Sequence, residues 1–280
     1  MRKPLYPTPI EVLETVTKII RLTGNQWSNW ASVAKSAEAL RNLSAYLQMG
    51  CPSINCTGGF DTSTVTNGEK IARLILGDDY ISPRAVMKAC GLPYEGDQKS
   101  ALSVIVPNRE KLLQLWVEQR GLIATPPTVC NVIQLREFDN PVFCRKGDIW
   151  FTKPRHRFSR EDVMQPAQWL AFSKGPYPHS MNLSWEEQQN LLPEDEYIPN
   201  VAEVVHIANT YFKVRGVDLF KEFPVRTSSV CEGGGQVVVG GIGPDGPAVR
   251  DSWNDGPRER LGVLSVLKLN LESSSVRNIG

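Results

Sequence analysis

The sequence predicts an α+β protein, with a helical N-terminal domain over 1–125 and a mixed domain over 126–280 that ends in an antiparallel β meander. Three observations predict it. Apolar residues recur at helical spacing through the first 125 or so positions. The segment Thr125-Pro126-Pro127-Thr128 breaks that pattern and reads as a linker. Beyond it, short apolar runs alternate with turn-prone segments, without the strand–helix–strand rhythm of a doubly wound sheet.

The elements follow in order. A helix is expected over 9–22, where apolar residues fall at 10, 13, 16, 19 and 20 and Gly24 marks the stop. A longer one over 27–49 ends at Gly50, and 51–65 reads as loop. Helices over 67–76 and 83–90 come next; Ser82 is a good N-cap, with Pro83 at the first helical position and Gly91 past the end. Another, over 109–119, starts from Asn108 and stops at Gly121. Strands are then expected over 129–135, 142–144, 149–152 and 169–173, with a helix near 159–165. A short helix over 185–192 precedes an amphipathic one over 201–214 capped by Asn200. The meander comprises the runs 223–229, 236–242, 247–253 and 261–269, joined by glycine-rich turns, and the last ten residues read as a frayed tail.

Composition narrows the function classes. Thirty-one Lys and Arg against 30 Asp and Glu give a net charge of +1, so no global field steers the chain to nucleic acid or an anionic membrane. The first residues lack the apolar run of a signal peptide, and no 18-residue apolar stretch occurs, which places the chain in the cytoplasm by default. The six cysteines (51, 56, 90, 130, 144 and 231) are scattered, and without four converging ligands they read as buried free thiols rather than a zinc site.

Several motifs carry candidate chemistry. The helix pair 67–90 has the outline of a helix-turn-helix, but Arg84 and Lys88 stand almost alone beside Asp78 and Asp79, so packing is the better reading. Residues 145–160 interleave Arg145, Lys146, Lys153, Arg155, Arg157 and Arg160 with Trp150, Phe151 and Phe158, a composition suited to single-stranded nucleic acid. In a strand-rich region the same aromatics more often face the core. The three histidines are far apart, and His206, among Val201, Val204, Val205 and Ala208, reads as a core imidazole. Glu186, Glu187, Glu194, Asp195 and Glu196 read as a solvated face and turn. No nucleophile elbow, phosphate loop or H-E-x-x-H motif occurs, and no carboxylate cage implies calcium.

A set of phrases adds a resemblance. They are Ala72-Arg-Leu-Ile-Leu-Gly-Asp-Asp-Tyr-Ile-Ser-Pro-Arg-Ala-Val-Met-Lys88, Trp169-Leu-Ala-Phe-Ser-Lys-Gly-Pro176, Pro199-Asn-Val-Ala-Glu-Val-Val205, Val214-Arg-Gly-Val-Asp-Leu-Phe220 and Val225-Arg-Thr-Ser-Ser229. The ending adds the run from Val237 to Gly240, Asp245-Gly246, Val249, Trp253-Asn-Asp255 and Leu261-Gly-Val263. In that order, over about 66–270, the chain resembles the bacterial variable proteins of diversity-generating retroelements. The resemblance implies a C-terminal C-type lectin fold and a variable region over about 225–265; on the residue patterns above, no cofactor or metal is expected. There, adenine-directed mutagenic reverse transcription would rewrite the residues of a ligand-binding face. The ligand would be a protein or another macromolecule.

By the same resemblance the ligand-binding positions are Cys231, Gly235, Val238, Gly241, Ala248, Arg250, Asp251, Ser252, Asn254, Asp255, Arg258 and Arg260. All are reachable from AAC or AAT template codons, whereas Gln236, Trp253 and Glu259 are not and stand as scaffold or fixed rim. Strand alternation agrees: Val237 and Val239 share one face and Val238 the other, with Val249 inward. Pro247, where the pattern favours leucine, should bend the third strand or put it at an edge. The alternative reading is a nucleic-acid-associated protein using 145–160 and the 67–90 helix pair. An enzyme oxidising a substrate cysteine would need reactive thiols late in the domain, where Cys231 stands alone.

Overall fold

The computed structural model describes residues 67–91, 106–138, 150–243, 246–251 and 256–269. The helices expected over 9–22 and 27–49, the loop 51–65, the strand 142–144 and the terminal tail lie outside these residues. Among the described residues the protein is a mixture of seven helices and several sheets. They divide into two compact units: 67–77 with 107–119, and 78–91 and 106 with 120–269.

In the first unit α1 (Asn67–Leu76) packs against α3 (Arg109–Val117), through apolar positions that include Ala72, Ile75, Leu112 and Leu115, all buried. Asn108 starts α3 as expected, its Oδ1 accepting from the Lys111 N–H at 2.9 Å. The helix between them, α2 (Pro83–Ala89), has the expected cap, with Ser82 Oγ accepting from the Ala85 N–H, but it belongs to the second unit.

The second unit contains a five-stranded sheet. Across it lie, in order, β1 (Tyr80–Ile81), β2 (Arg120–Ala124), β5 (Trp169–Ser173), β11 (Val266–Leu267) and β6 (Glu196–Tyr197). β2 corrects the expectation of a helix end and a linker. The helix stops at Val117, Gln119 turns the chain at φ 55°, and Arg-Gly-Leu-Ile-Ala is buried throughout. The segment 125–128 is no free linker either: the Thr125 N–H donates to Gln168 O at 2.8 Å, and Pro126 O accepts from Ala167.

Helical turns form in two places where the sequence predicts strands. Of 129–135 only β3 (Cys130–Asn131) is extended, paired with β4 (Val163–Met164). Asn131 and Gln134 then exchange side-chain and backbone hydrogen bonds, and this reciprocal cap starts α4 (Val132–Phe138) despite its β-branched residues. The stretch 149–152 gives a 3₁₀ turn at Trp150–Thr152, and the helix near 159–165 shortens to α5 (Phe158–Glu161). α6 (Trp185–Leu191) forms as expected from a Ser184–Glu187 capping box.

The organising helix is α7 (Val201–Arg215), started by an Asn200–Glu203 capping box and closed by Gly216 at φ 71°. Ten of its fifteen residues are buried, so it is more nearly encircled than its amphipathic reading suggests. It packs against β7 (Val225–Val230), β8 (Gln236–Gly243) and β9 (Gly246–Asp251) of a second sheet. It also meets the five-stranded sheet, where the Tyr211 ring stands edge-on to Phe172 with centroids 5.9 Å apart. His206 lies in this core, as expected: Nε2–H donates to Ala124 O at 2.9 Å, and Nδ1 faces Thr210 Oγ1 at 3.3 Å.

In the second sheet β10 (Gly262–Val263) comes first, followed by β7, β8 and β9. The terminal runs therefore make a three-stranded antiparallel meander, not four strands. β10 lies parallel to β7 on the side away from β9. The run 261–269 then splits, since Val266 and Leu267 cross to the other sheet between β5 and β6. Buried Leu264 and Ser265 make the crossing.

A buried polar tie accompanies it. The Arg120 guanidinium donates to Glu196 and, at 3.0 Å, to Ser265 Oγ, while the Ser265 hydroxyl donates to Glu196. The Glu196 side chain is only 7% exposed, which corrects its reading as part of a solvated cluster. Among the described residues no helix is long and apolar enough to cross a membrane.

Burial pushes the His206 pKa down from 6.5 to about 4. The unfolded chain therefore binds a proton that the folded chain refuses. The stability this neutral imidazole contributes is complete above about pH 6.5 and is lost as pH falls toward 4, a difference of roughly 3 kcal/mol. Urea titrations of the wild-type protein and His206→Gln at pH 7 and pH 4.5 should show a smaller pH-dependent loss in the variant. Equal losses would remove His206 as the cause.

Candidate ligand-binding groove

The groove arises from side-chain alternation interrupted by a bulge. Val239 pairs with Val249 across β8 and β9, and with Val237 these valines face α7, all buried. Arg226, Val238 and Arg250 are cross-strand neighbours on the opposite face of β7, β8 and β9. Between the Val239–Val249 and Ile242–Pro247 pairs, Gly240 and Gly241 stand against Ala248 alone. This is a bulge, which bends the strand and re-aims the side chains beyond it. Pro247 sits beside it on the edge strand, as its chemistry requires.

Gly241 has a steric reason to be glycine. A Cβ there would lie 2.6 Å from Lys221 Cα and 2.9 Å from Asp218 Oδ2. Asp218 is held in turn by the backbone, its Oδ2 accepting from the Ile242 N–H at 2.6 Å and its Oδ1 from the Phe220 N–H at 3.2 Å. The bulge and the 218–221 segment are thus locked together.

The opposite wall is fixed through Arg226, whose side chain is fully buried. It donates to Leu183 O at 3.2 Å, Gln188 Oε1 at 2.8 Å and Gly256 O at 2.6 Å. The Gln188 amide donates to Ser180 O and to Leu261 O. Asn182 N–H donates to Arg258 O, and Gly262 N–H to Pro224 O. On the rim, Arg260 donates to Glu222 O at 3.2 Å and lies over the Phe223 ring, 5.6 Å from its centroid.

These walls enclose a groove of about 520 Å³. Seven of the twelve predicted positions line it together: Val238, Gly241, Ala248, Arg250, Asp251, Arg258 and Arg260. Cys231 and Gly235 do not. They close the β7–β8 turn, Cys231 N–H donating to Gly235 O at 2.9 Å, and both are buried. Ser252, Asn254 and Asp255, with Trp253, lie outside the described residues. Gln236 is buried, and its amide, oriented to donate to Thr227 O and Ser229 O, accepts from Trp185 Nε1 at 3.2 Å.

Sequence reasoning missed Asp218 and Lys221, which also line the groove. They precede the meander in a loop with no periodicity, and only the Val-Asp-Leu-Phe phrase pointed there. Comparison of the chain with protein-family models, curated proteins and solved structures gave no match.

Two of the three aromatics of the 145–160 segment are turned away from solvent. Phe151 and Phe158 are buried, so neither presents a stacking face, and residues 145–149 lie outside the described set. Arg157 pairs with Glu161 at 2.7 Å, Arg155 with Glu232 at 3.5 Å, and Arg160 donates to Thr152 O. Cys90, Cys130 and Cys231 are buried free thiols, as expected, and burial pushes the Cys90 pKa up to about 11.

Gly241→Ala should lower stability by about 1–3 kcal/mol through overpacking against backbone. Gly240→Ala, whose added Cβ would sit 3.6 Å from Ala248 Cβ, should change it by less than about 1 kcal/mol. Urea midpoints of the two variants check this; equal midpoints would mean that the bulge is not sterically locked.

Proposed function

We propose that this protein is a non-enzymatic ligand-binding protein whose C-terminal domain, of C-type lectin type, presents the β8–β9 groove to a protein or other macromolecule. The observation that carries this reading is the convergence of seven resemblance-derived positions on one groove, drawn from two strands and a separate loop. The residues expected to be scaffold fall elsewhere: Val237, Val239 and Val249 face α7, and Gln236 is buried under Trp185. That division between an invariant frame and exchangeable side chains is the logic of an antibody paratope.

A binding role rather than catalysis is supported by the chemistry of the lining. Among its described residues the titratable groups are Asp218, Lys221, Arg250, Asp251, Arg258 and Arg260. Among the described lining residues there is no histidine, serine or cysteine to form a base-activated nucleophile pair. Among the described residues the buried free thiols of Cys90, Cys130 and Cys231 are in keeping with a reducing compartment such as the cytoplasm.

Sequencing the locus tests the diversification. A reverse-transcriptase gene is expected nearby, with a near-copy of the codons for 225–265 that differs only at adenines. Codons for Val238, Ala248, Arg250, Arg258 and Arg260 should be among those that differ, and those for Val237, Val239 and Val249 should be identical. The steric lock at Gly241 predicts that its codon is also unchanged. Absence of both the enzyme gene and the near-copy would sink the diversification reading.

A further inference from the structure

We infer that the groove, in the form it takes in this chain, binds an acidic segment of a partner protein, one in which carboxylate side chains flank an apolar residue. This rests on the binding role proposed above and adds the chemical class of the ligand. The argument begins with charge. The whole chain is nearly neutral at +1, yet the described lining carries Lys221, Arg250, Arg258 and Arg260 against Asp218 and Asp251. A cleft with one predominant sign concentrates the field and draws in the opposite charge.

The availability of these groups sharpens the asymmetry. Both Asp218 oxygens are occupied by the backbone N–H groups of Phe220 and Ile242. By contrast, Lys221, Arg250 and Arg258 are exposed, and their side chains have no hydrogen-bond or ion-pair partner among the described residues. Arg260 is already oriented by Glu222 O and the Phe223 ring. Guanidinium groups bind carboxylates through paired donors, so three arginines around one groove suit several carboxylates.

The floor supplies the second half of the ligand's description. Val238, Pro224, Ala248 and Leu261 make it apolar, while the charged side chains stand on the rim. At about 520 Å³ the groove falls within the ~300–1,000 Å³ typical of ligand pockets. An apolar side chain would seat on this floor with acidic neighbours reaching the rim. Nucleic acid fits less well. No aromatic side chain among the described lining residues offers a base a stacking face.

The test is selection of a phage-displayed random dodecapeptide library on the full-length protein, with the groove-filled variant Ala248→Trp as counter-target. The expected result is a pool that depends on the open groove and is enriched in Asp and Glu around an apolar residue. Synthetic peptides from it should bind roughly tenfold more weakly to Arg250→Glu/Arg258→Glu, and more weakly as salt rises. Both substituted arginines are exposed, and an unchanged urea midpoint for the double variant would show that the fold is intact. A groove-dependent pool without acidic bias would overturn the ligand class and leave the binding role standing. A pool no richer on the wild-type protein than on Ala248→Trp would overturn both. Tighter binding of a labelled 15-mer of thymidylate, lost in the arginine double variant, would overturn the inference in favour of nucleic acid.

Discussion

The groove depends on a guanidinium that the solvent never reaches. Arg226 lies beneath the loop that begins at Gly256, and its donors join that loop to Leu183 and to Gln188 on α6. Gln188 passes the connection on to Ser180 and Leu261. Removing the guanidinium would leave the buried Gln188 Oε1 without this donor, at about 1–3 kcal/mol if unsatisfied, and release the part-buried carbonyls of Leu183 and Gly256. A strand residue and a helix residue therefore hold in place a loop that has little regular structure of its own. The rim arginines 258 and 260 inherit their positions from this arrangement.

The other wall is held differently. Its contact is steric, because the glycine bulge approaches the 218–221 backbone too closely for a side chain, and Asp218 adds hydrogen bonds from its own loop and from β8. Behind both walls α7 supports the sheet through Val237, Val239 and Val249 and reaches the five-stranded sheet through His206 and Tyr211. β7 adds a polar link to the same helix, since Ser229 Oγ accepts from the Val201 N–H at 2.9 Å. The Thr-Ser-Ser segment thus departs from the regular ladder in order to satisfy a helix N-terminus.

Much of this was legible in the sequence wherever local chemistry decided the outcome. Ser82, Asn108 and Asn200 each announced a helix start, because a cap is a short-range interaction between neighbours. The alternation of Val237, Val238 and Val239 placed Val238 on the face of the sheet opposite the other two, as the strand register has it. The failures came where longer-range pairing or a local exception prevailed. β2 resembled a helix end because its partners lie some fifty residues onward in β5, and the Asn131–Gln134 cap overrode the β preference of Val132 and Ile133. Glu196 seemed solvated because its partner, Arg120, is far away in sequence. The groove was legible through its strand positions and only partly through its loops, since Asp218 and Lys221 carry no periodic signal.

A frame built this way can tolerate change at its surface. Val238, Ala248, Arg250, Arg258 and Arg260 contribute side chains to the groove, yet the frame is held by other contacts: the buried valines, the α7 caps, Arg226 with Gln188, and the glycine bulge. Exposed substitutions away from such contacts usually change stability by no more than about 0.5 kcal/mol. Gly241 marks the limit of that freedom: it lines the groove, but it does so as part of the frame. Lining a groove and being free to vary are therefore separate properties. What distinguishes them is whether an added atom would meet solvent or backbone.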